Sequence, residues 1–306
     1  MKKSGVLIPG LVFSLVMTLL TGCGAGANPK EENDGKISVY TSFYVLYDFA
    51  KKIGGDRIEL TNLVPAGTEP HEWEPSPSDI ASLEKADVLV YNGAGMEGWL
   101  DRIRQTLKNK KLIEVETSRE IKLLENTDRD EGLEYDPHVW LNPLNAKKQM
   151  EEIAKAFSAA DPANKAYYEN NYNENAKKLD DLDKEFRDTL EKYTNRDIVV
   201  AHRAFGYLCG AYGLEQVAIE GLNADAEPSP AKMAEITTFV KENNIKYIFF
   251  EELISPRVAE AIAGETGAKT EALNPLEGLG EKDMEAGKEY FSVMRENLEA
   301  ISKALE

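Results

Sequence analysis

Only three of the 306 residues are histidine, and each sits in a short segment rich in aromatic side chains. They are His71 in Pro-His-Glu-Trp, His138 in Asp-Pro-His-Val-Trp-Leu-Asn-Pro and His202 in Ala-His-Arg-Ala-Phe, separated by 67 and then 64 positions. Neutral imidazole offers a nitrogen lone pair near physiological pH and is the commonest protein ligand for borderline transition metals. A chain so sparing with histidine, with all three in one kind of context, points to a single metal site. Trp73, Trp140 and Phe205 follow the histidines closely and would form a dry wall that excludes water and strengthens metal bonds. Core packing would use the same residues. An oxygen donor would complete the set: Glu277, in Asn-Pro-Leu-Glu, is a candidate, with Glu251 and Glu252 in competition for the role. A ligating histidine also needs a partner for its other ring N–H, and the Glu251 carboxylate suits that task. The plainer alternative pairs Glu251 with Arg203 or Arg257.

Donors so far apart in the chain need a scaffold that gathers them. Apolar runs alternate with helical patterns, which predicts an α/β fold with parallel sheets. Strands are expected at Ile37–Tyr40, Ile58–Val64, Val88–Tyr91 and Leu112–Val115, then at Ile198–Ala201, Gln216–Ile219, Tyr247–Phe250 and Lys269–Leu273. Helices are expected near Phe43–Ile53, Ser78–Ala86, Glu97–Leu107, Ala204–Tyr212, Ala231–Asn243, Arg257–Thr266 and Asp283–Leu305. Ser76-Pro77 and Ser229-Pro230 each open a helix with a capping hydroxyl and a proline at the first helical position. The architecture expected is two lobes, each a mostly parallel four-stranded sheet flanked by helices, joined by one long connecting helix.

That connector is the segment 161–193, where Tyr168, Tyr172, Ala176, Leu179, Leu182, Phe186, Leu190 and Tyr193 recur at threes and fours opposite a charged face. It would span about 50 Å. The lobes on either side are residues 36–160 and 194–306. In open parallel sheets, ligands bind beyond the carboxyl ends of the strands. His71, His138, His202 and Glu277 all fall in such loops, two from each half, so their meeting place is the cleft between the lobes.

The amino terminus reads as a targeting segment. Residues 1–22 carry a basic start, Lys2 and Lys3, and an apolar run broken by Pro9 and Gly10, too short for a membrane span. Leu20-Thr21-Gly22-Cys23 resembles a bacterial lipobox, in which Cys23 is lipidated and becomes the new amino terminus. Residues 23–35 form a flexible tether by composition. The protein is therefore expected at the cell membrane, lipid-anchored on the extracytoplasmic face. The chain has a formal net charge of −18, and the leader removes two lysines and no acid from it. Nucleic acid is excluded as a partner, because phosphate binding needs clustered Lys and Arg; the acidity suits attraction of cations. Cys209 is the one other cysteine, so no intrachain disulfide framework is possible, and it reads as a small core residue. A monomer is expected. The sequence has no G-x-x-x-x-G-K-[ST], H-E-x-x-H or G-x-S-x-G signature, so an ATPase would be a separate chain and no enzyme activity is expected.

Five ordered motifs (Pro-His-Glu-Trp-Glu-Pro-Ser-Pro-Ser-Asp, Asp-Pro-His-Val-Trp-Leu-Asn-Pro, His-Arg-Ala-Phe-Gly-Tyr, Phe-Phe-Glu-Glu-Leu-Ile-Ser-Pro and Asn-Pro-Leu-Glu-Gly-Leu) resemble the metal-specific solute-binding lipoproteins of bacterial ABC importers, the ZnuA/AdcA/TroA type. The resemblance covers essentially the whole mature chain. It implies a metal set of His71, His138, His202 and Glu277. It also implies the zinc branch, since His202 stands where manganese binders carry glutamate. Three imidazoles and one carboxylate form a closed tetrahedral set suited to Zn²⁺. The function implied is capture of extracytoplasmic Zn²⁺ in the interlobe cleft and delivery to an ABC permease with its separate ATPase. A manganese or iron binder of the same class, or a surface adhesin, is the alternative. One departure is the stretch Glu125–Asp136, acidic and without histidine, where many zinc members carry a histidine-rich loop.

Overall fold

Short runs of β-branched and aromatic residues bounded by Gly, Asn and Pro form the strands, and the segments between them fold as helices. The computed structural model describes residues 35–126, 132–222 and 228–306. The leader, Cys23 and nearly all of the tether lie outside the described residues, as does the middle of the acidic stretch after Glu125. Among the described residues no helix is long and apolar enough to cross a membrane.

In the first half β1 (Ile37–Thr41), β2 (Ile58–Asn62), β3 (Val88–Tyr91) and β4 (Ile113–Glu116) form a parallel sheet in the order β2-β1-β3-β4. In the second half β5 (Asp197–Val200), β6 (Glu215–Ala218), β7 (Tyr247–Phe250) and β8 (Lys269–Ala272) repeat that order, β6-β5-β7-β8, again parallel. The helices are α1 (Tyr44–Gly54), α2 (Pro77–Leu83), α3 (Leu100–Arg104), α4 (Pro143–Ala160), α5 (Lys165–Leu190), α6 (Gly206–Tyr212), α7 (Pro230–Glu242), α8 (Arg257–Thr266), α9 (Glu281–Glu285) and α10 (Tyr290–Leu305). The expected fold class, two parallel four-stranded sheets flanked by helices and linked by a long helix, is what the chain adopts.

Three helices depart from the expected limits. The long helix proper is α5, about 39 Å at 1.5 Å per residue, preceded by a 3-10 turn at Pro162–Asn164. Its apolar row, including Tyr168, Leu179, Leu182, Phe186 and Leu190, is buried as the periodicity requires, with α1, α4, α6 and α10 as the neighbouring helices. Helix α3 is shorter than Glu97–Leu107. The Glu97 carboxylate turns back to accept from the Ser42 hydroxyl and the amides of Asn92 and Gly93, all at 2.7–2.9 Å, which takes Glu97 out of the helix. The segment read as one helix over Asp283–Leu305 is two. Gly287 sits at φ +79 and ends α9, and Glu289 then opens α10 with a capping box to Ser292. Helix α4 is an addition, opened by Asn142 and Pro143 as Ser76 and Pro77 open α2.

One large apolar core runs through both halves, with Phe49, Trp140, Phe157, Phe186, Phe205, Leu273 and Tyr290 in the same cluster. Helix α10 belongs to the second half in sequence, yet its start is fastened to α1. The Tyr290 amide donates to Asp48 Oδ2 at 3.3 Å, Lys52 bridges Asp48 and Glu289 at 2.6 and 2.8 Å, and the Tyr44 hydroxyl donates to the Lys288 carbonyl at 3.3 Å. Cys209 is buried in the main core, as expected.

Candidate metal centre

Every donor candidate lies beyond the carboxyl end of a strand. His71 follows β2, His202 comes two residues after β5, and Glu277 follows β8. His138 follows β4 after a long excursion and leads into a 3-10 turn, Val139–Leu141. The four side chains meet. One ligand atom from each lies within 4.8 Å of all the others. His138 Nε2 is 3.3 Å from both His71 Nε2 and His202 Nε2 and 2.7 Å from Glu277 Oε1. Glu277 Oε1 is also 3.3 Å from His71 Nε2 and from His202 Nε2. Around a tetrahedral Zn²⁺ with bonds of about 2.0–2.1 Å, neighbouring donors would sit about 3.3–3.4 Å apart. The donor set therefore fits such an ion in chemistry and in size.

The outer nitrogens fix which lone pairs point inward. His138 Nδ1 donates to Asp136 Oδ1 at 2.8 Å, and the same oxygen accepts the His138 amide at 2.9 Å. His202 Nδ1 donates to Glu251 Oε1 at 2.5 Å. With Nδ1 carrying the proton, each neutral ring presents an Nε2 lone pair to the centre, which is the tautomer a metal requires. Two lone pairs facing each other at 3.3 Å repel unless a proton or cation lies between them.

Without a metal, the carboxylates around the rings favour a proton there. Burial, the largest influence on His138, pushes its imidazolium down, but Asp136 and Glu277 together outweigh it and hold the pKa above the ordinary histidine value. For His202 burial is likewise outweighed, here by the charges of Glu251 and Glu277, and the pKa stands well above the usual range. Burial would raise Glu277, but His202 and His71, with hydrogen bonds from His138 and His202, hold its carboxyl well below the usual range.

The remaining candidates divide. Trp140 is fully buried beside the His138 ring, centroids 5.4 Å apart, and its Nε1 donates to the Pro275 carbonyl at 2.7 Å in the loop that carries Glu277. Trp73 makes its edge-on ring contact with Trp99 at 5.9 Å and is only partly buried, packed against both the main core and a smaller first-half cluster. Phe205 is fully buried in the main core, with its amide donating to Gln216 Oε1 at 3.0 Å. Glu251 meets His202, while the Arg203 guanidinium reaches Asn126. Glu252 stays exposed.

Sequence reasoning missed Asp136, although its place two residues before His138 was a usable signal. It also missed Asn92, whose Nδ2 donates to the Pro137 carbonyl at 2.9 Å, and Glu69, which accepts the His71 amide at 3.0 Å. Asp136 is packed closely against Gly206. A Cβ on Gly206 would lie 2.6 Å from Asp136 Oδ2 and 3.2 Å from Gln216 Nε2. Gly206→Ala is therefore expected to push Asp136 off the His138 ring and to weaken zinc binding about 10-fold, as loss of a partner to a ligating histidine does. Competition titration against a chromophoric chelator measures it, and wild-type affinity in this variant would show that Asp136 tolerates the displacement.

Comparison with known proteins meets this geometry directly. Residues 39–304 match the family model for ZnuA, the periplasmic component A of the zinc-uptake complex. The chain belongs to the ZnuA family. The resemblance read from the five motifs is borne out, and all four converging side chains lie within the matched ZnuA region. The high-affinity zinc uptake system protein ZnuA of Bacillus subtilis is 40% identical over 316 residues, covering 99% of this chain and 98% of that protein. The zinc-binding lipoprotein AdcA of Streptococcus pneumoniae (strain ATCC BAA-255 / R6) is 41% identical over 313 residues, 99% of this chain but 61% of AdcA. The Zn(II)-bound ZnuA-like domain of Streptococcus pneumoniae AdcA superposes with a TM-score of 0.78 at 42% identity, covering 89% of this chain and 99% of that domain.

Proposed function

We propose that the protein is an extracytoplasmic solute-binding component that captures Zn²⁺ and hands it to an ABC permease with a separate ATPase. The observation that carries this reading is the convergence of three Nε2 atoms and one carboxylate oxygen, buried and mostly 3.3 Å apart. His71, His138, His202 and Glu277 would hold the ion, with Asp136 and Glu251 orienting two of the rings. Four protein donors leave no open position for a catalytic water, which supports transport over hydrolysis. Membership of a zinc-uptake family and the zinc-binding names of the relatives support zinc as the cargo. In the same reading residues 1–22 are a lipoprotein leader and Cys23 is the lipid anchor to the extracytoplasmic face. Residues 23–35 are then the tether, 36–160 and 194–306 the two lobes and 161–193 the connector, and the protein works as a monomer.

Zn²⁺ is expected to outcompete Mn²⁺ by orders of magnitude in a mixed titration, because manganese prefers more oxygen ligands and higher coordination. His202→Glu should move that preference toward manganese. Equal binding of the two ions by the wild-type protein would overturn the zinc reading, and unchanged selectivity in the variant would remove His202 as the residue that discriminates.

A further inference from the structure

Glu277 is the donor that directly follows a left-handed residue. Leu276, the residue before it, sits at φ +61, a left-handed conformation that a bulky side chain avoids. Such a conformation persists only where its surroundings over-determine it. The surroundings here converge on Asn274. Its side-chain Oδ1 accepts the Leu276 amide at 2.7 Å, closing a local turn that imposes the reversal. The backbone of Asn274 is in turn gripped at both polar atoms by Asn297 of α10. The Asn274 amide donates to Asn297 Oδ1 at 2.9 Å, and Asn297 Nδ2 donates to the Asn274 carbonyl at 2.7 Å. Asn297 is buried and spends its carboxamide on this clasp. Trp140 adds a third bond at the Pro275 carbonyl.

We propose that Asn297 is a positioning residue for the fourth ligand: its two-point clasp on Asn274 holds the left-handed turn that aims Glu277 at the three histidines. The inference rests on the zinc-binding reading above and deepens it. A residue on the last helix, far from any ligand in sequence, decides whether the site has three nitrogen donors and an oxygen or three nitrogen donors alone. Without the clasp, Leu276 relaxes to an ordinary conformation and the Glu277 carboxylate swings out of register. The three histidines, carried by other loops, stay where they are.

The test is a double-mutant cycle on the full mature chain, read by Zn²⁺ competition titration and by the visible spectrum of bound Co²⁺. Asn297→Ala is expected to weaken Zn²⁺ binding about 10–100-fold, the range typical for residues that orient a ligand. It should also shift the Co²⁺ bands toward those of Glu277→Ala. In the Glu277→Ala background, Asn297→Ala should cost no more than about 2-fold further, because both changes remove the same donor. A merely structural role would lower the melting temperature of the metal-free protein in both backgrounds and cost the same factor in each. Asn297→Asp keeps the acceptor for the Asn274 amide and loses the donor, so it should fall between wild type and Asn297→Ala; it carries the test if the alanine variant does not fold. Wild-type affinity in both Asn297 variants, or an equal penalty in both backgrounds, would overturn the clasp. A wild-type protein that binds no Zn²⁺, or a Glu277→Ala variant that binds like wild type, would instead overturn the four-ligand reading itself.

Discussion

His138→Ala is expected to weaken zinc binding by at least about 100-fold and by more than alanine at His71 or His202. Structural Zn²⁺ sites bind with roughly 10–16 kcal/mol at pH 7, so an average donor of four contributes about 3 kcal/mol. His138 exceeds that average for geometric reasons. Of the three imidazoles, His138 is the one whose Nε2 lies within 3.3 Å of every other donor, at 3.3, 3.3 and 2.7 Å, a position it shares with Glu277 Oε1. Its ring is completely buried, so truncation leaves a cavity in the floor of the site. The Asp136 carboxylate, buried with it, keeps only the residue 138 amide of the two bonds that its Oδ1 now accepts. His71, by contrast, enters on a half-buried loop. Competition titrations of the three alanine variants rank the donors, and a larger loss at His71 than at His138 would show that the anchor has been misplaced.

The second large effect is on stability, and it shrinks as pH falls. Saturating zinc at about 1,000 times Kd stabilises the native state by about 4 kcal/mol. For a chain of this size that is a rise in melting temperature of roughly 10 °C at pH 8. The metal-free cluster behaves in the opposite sense. His138 and His202 have raised pKa values in the folded state, so their contribution is complete below the unfolded histidine value of about 6.5 and is lost as pH rises through the folded values. Glu277, held low, contributes above the unfolded carboxylate value of about 4.3 and loses that contribution as pH falls through its folded value. The metal-free protein therefore draws most from this cluster between about pH 4.5 and 6.5. Zinc needs all three imidazoles free to offer their Nε2 lone pairs, so over the same range protons on His138 and His202 compete with it and loading weakens. The difference between loaded and metal-free melting temperatures should be large at pH 8 and small at pH 5.5. Melting curves with and without excess chelator measure it. An increment of the same size at both values would mean that the histidines are not the ligands.

Much of this was legible in the chain because the signals were local. Alternation of apolar runs with helical periods marks both sheets, and strand limits agree to within one residue except at the end of β2, which stops two residues early. The histidine segments fall on strand-end loops by sequence alone, since β–loop–α order determines which end of the sheet a loop occupies. Helix α4 carries its own signature, an Asn-Pro opening and Ala146, Met150, Ile153 and Phe157 on one buried face. What stayed hidden was pairwise and long-range. Choosing Glu277 over Glu251 and Glu252 needed either the resemblance or the coordinates, because three carboxylates beyond neighbouring strands look alike until their directions are known. The partner of Trp73 was equally invisible, since an aromatic two residues from a ligand can turn toward the site or toward Trp99. Asn274 and Asn297 meet across 23 positions with no motif to announce it.

The attachment of α10 to α1 bears on how cargo leaves. A rigid swing of one sheet away from the other would have to break the Tyr290, Lys52 and Tyr44 contacts together, and to open the shared apolar core that contains Phe49, Trp140 and Phe186. That makes a gaping motion costly and a local one cheap. His71 is half-buried where His138, His202 and Glu277 are buried, so lifting its loop uncovers less packed surface at the donor, although the Gly67 amide must leave the Leu279 carbonyl. The molecule is then better pictured as a valve with one movable leaflet than as a pair of jaws, and a permease would need to engage only that leaflet to empty it.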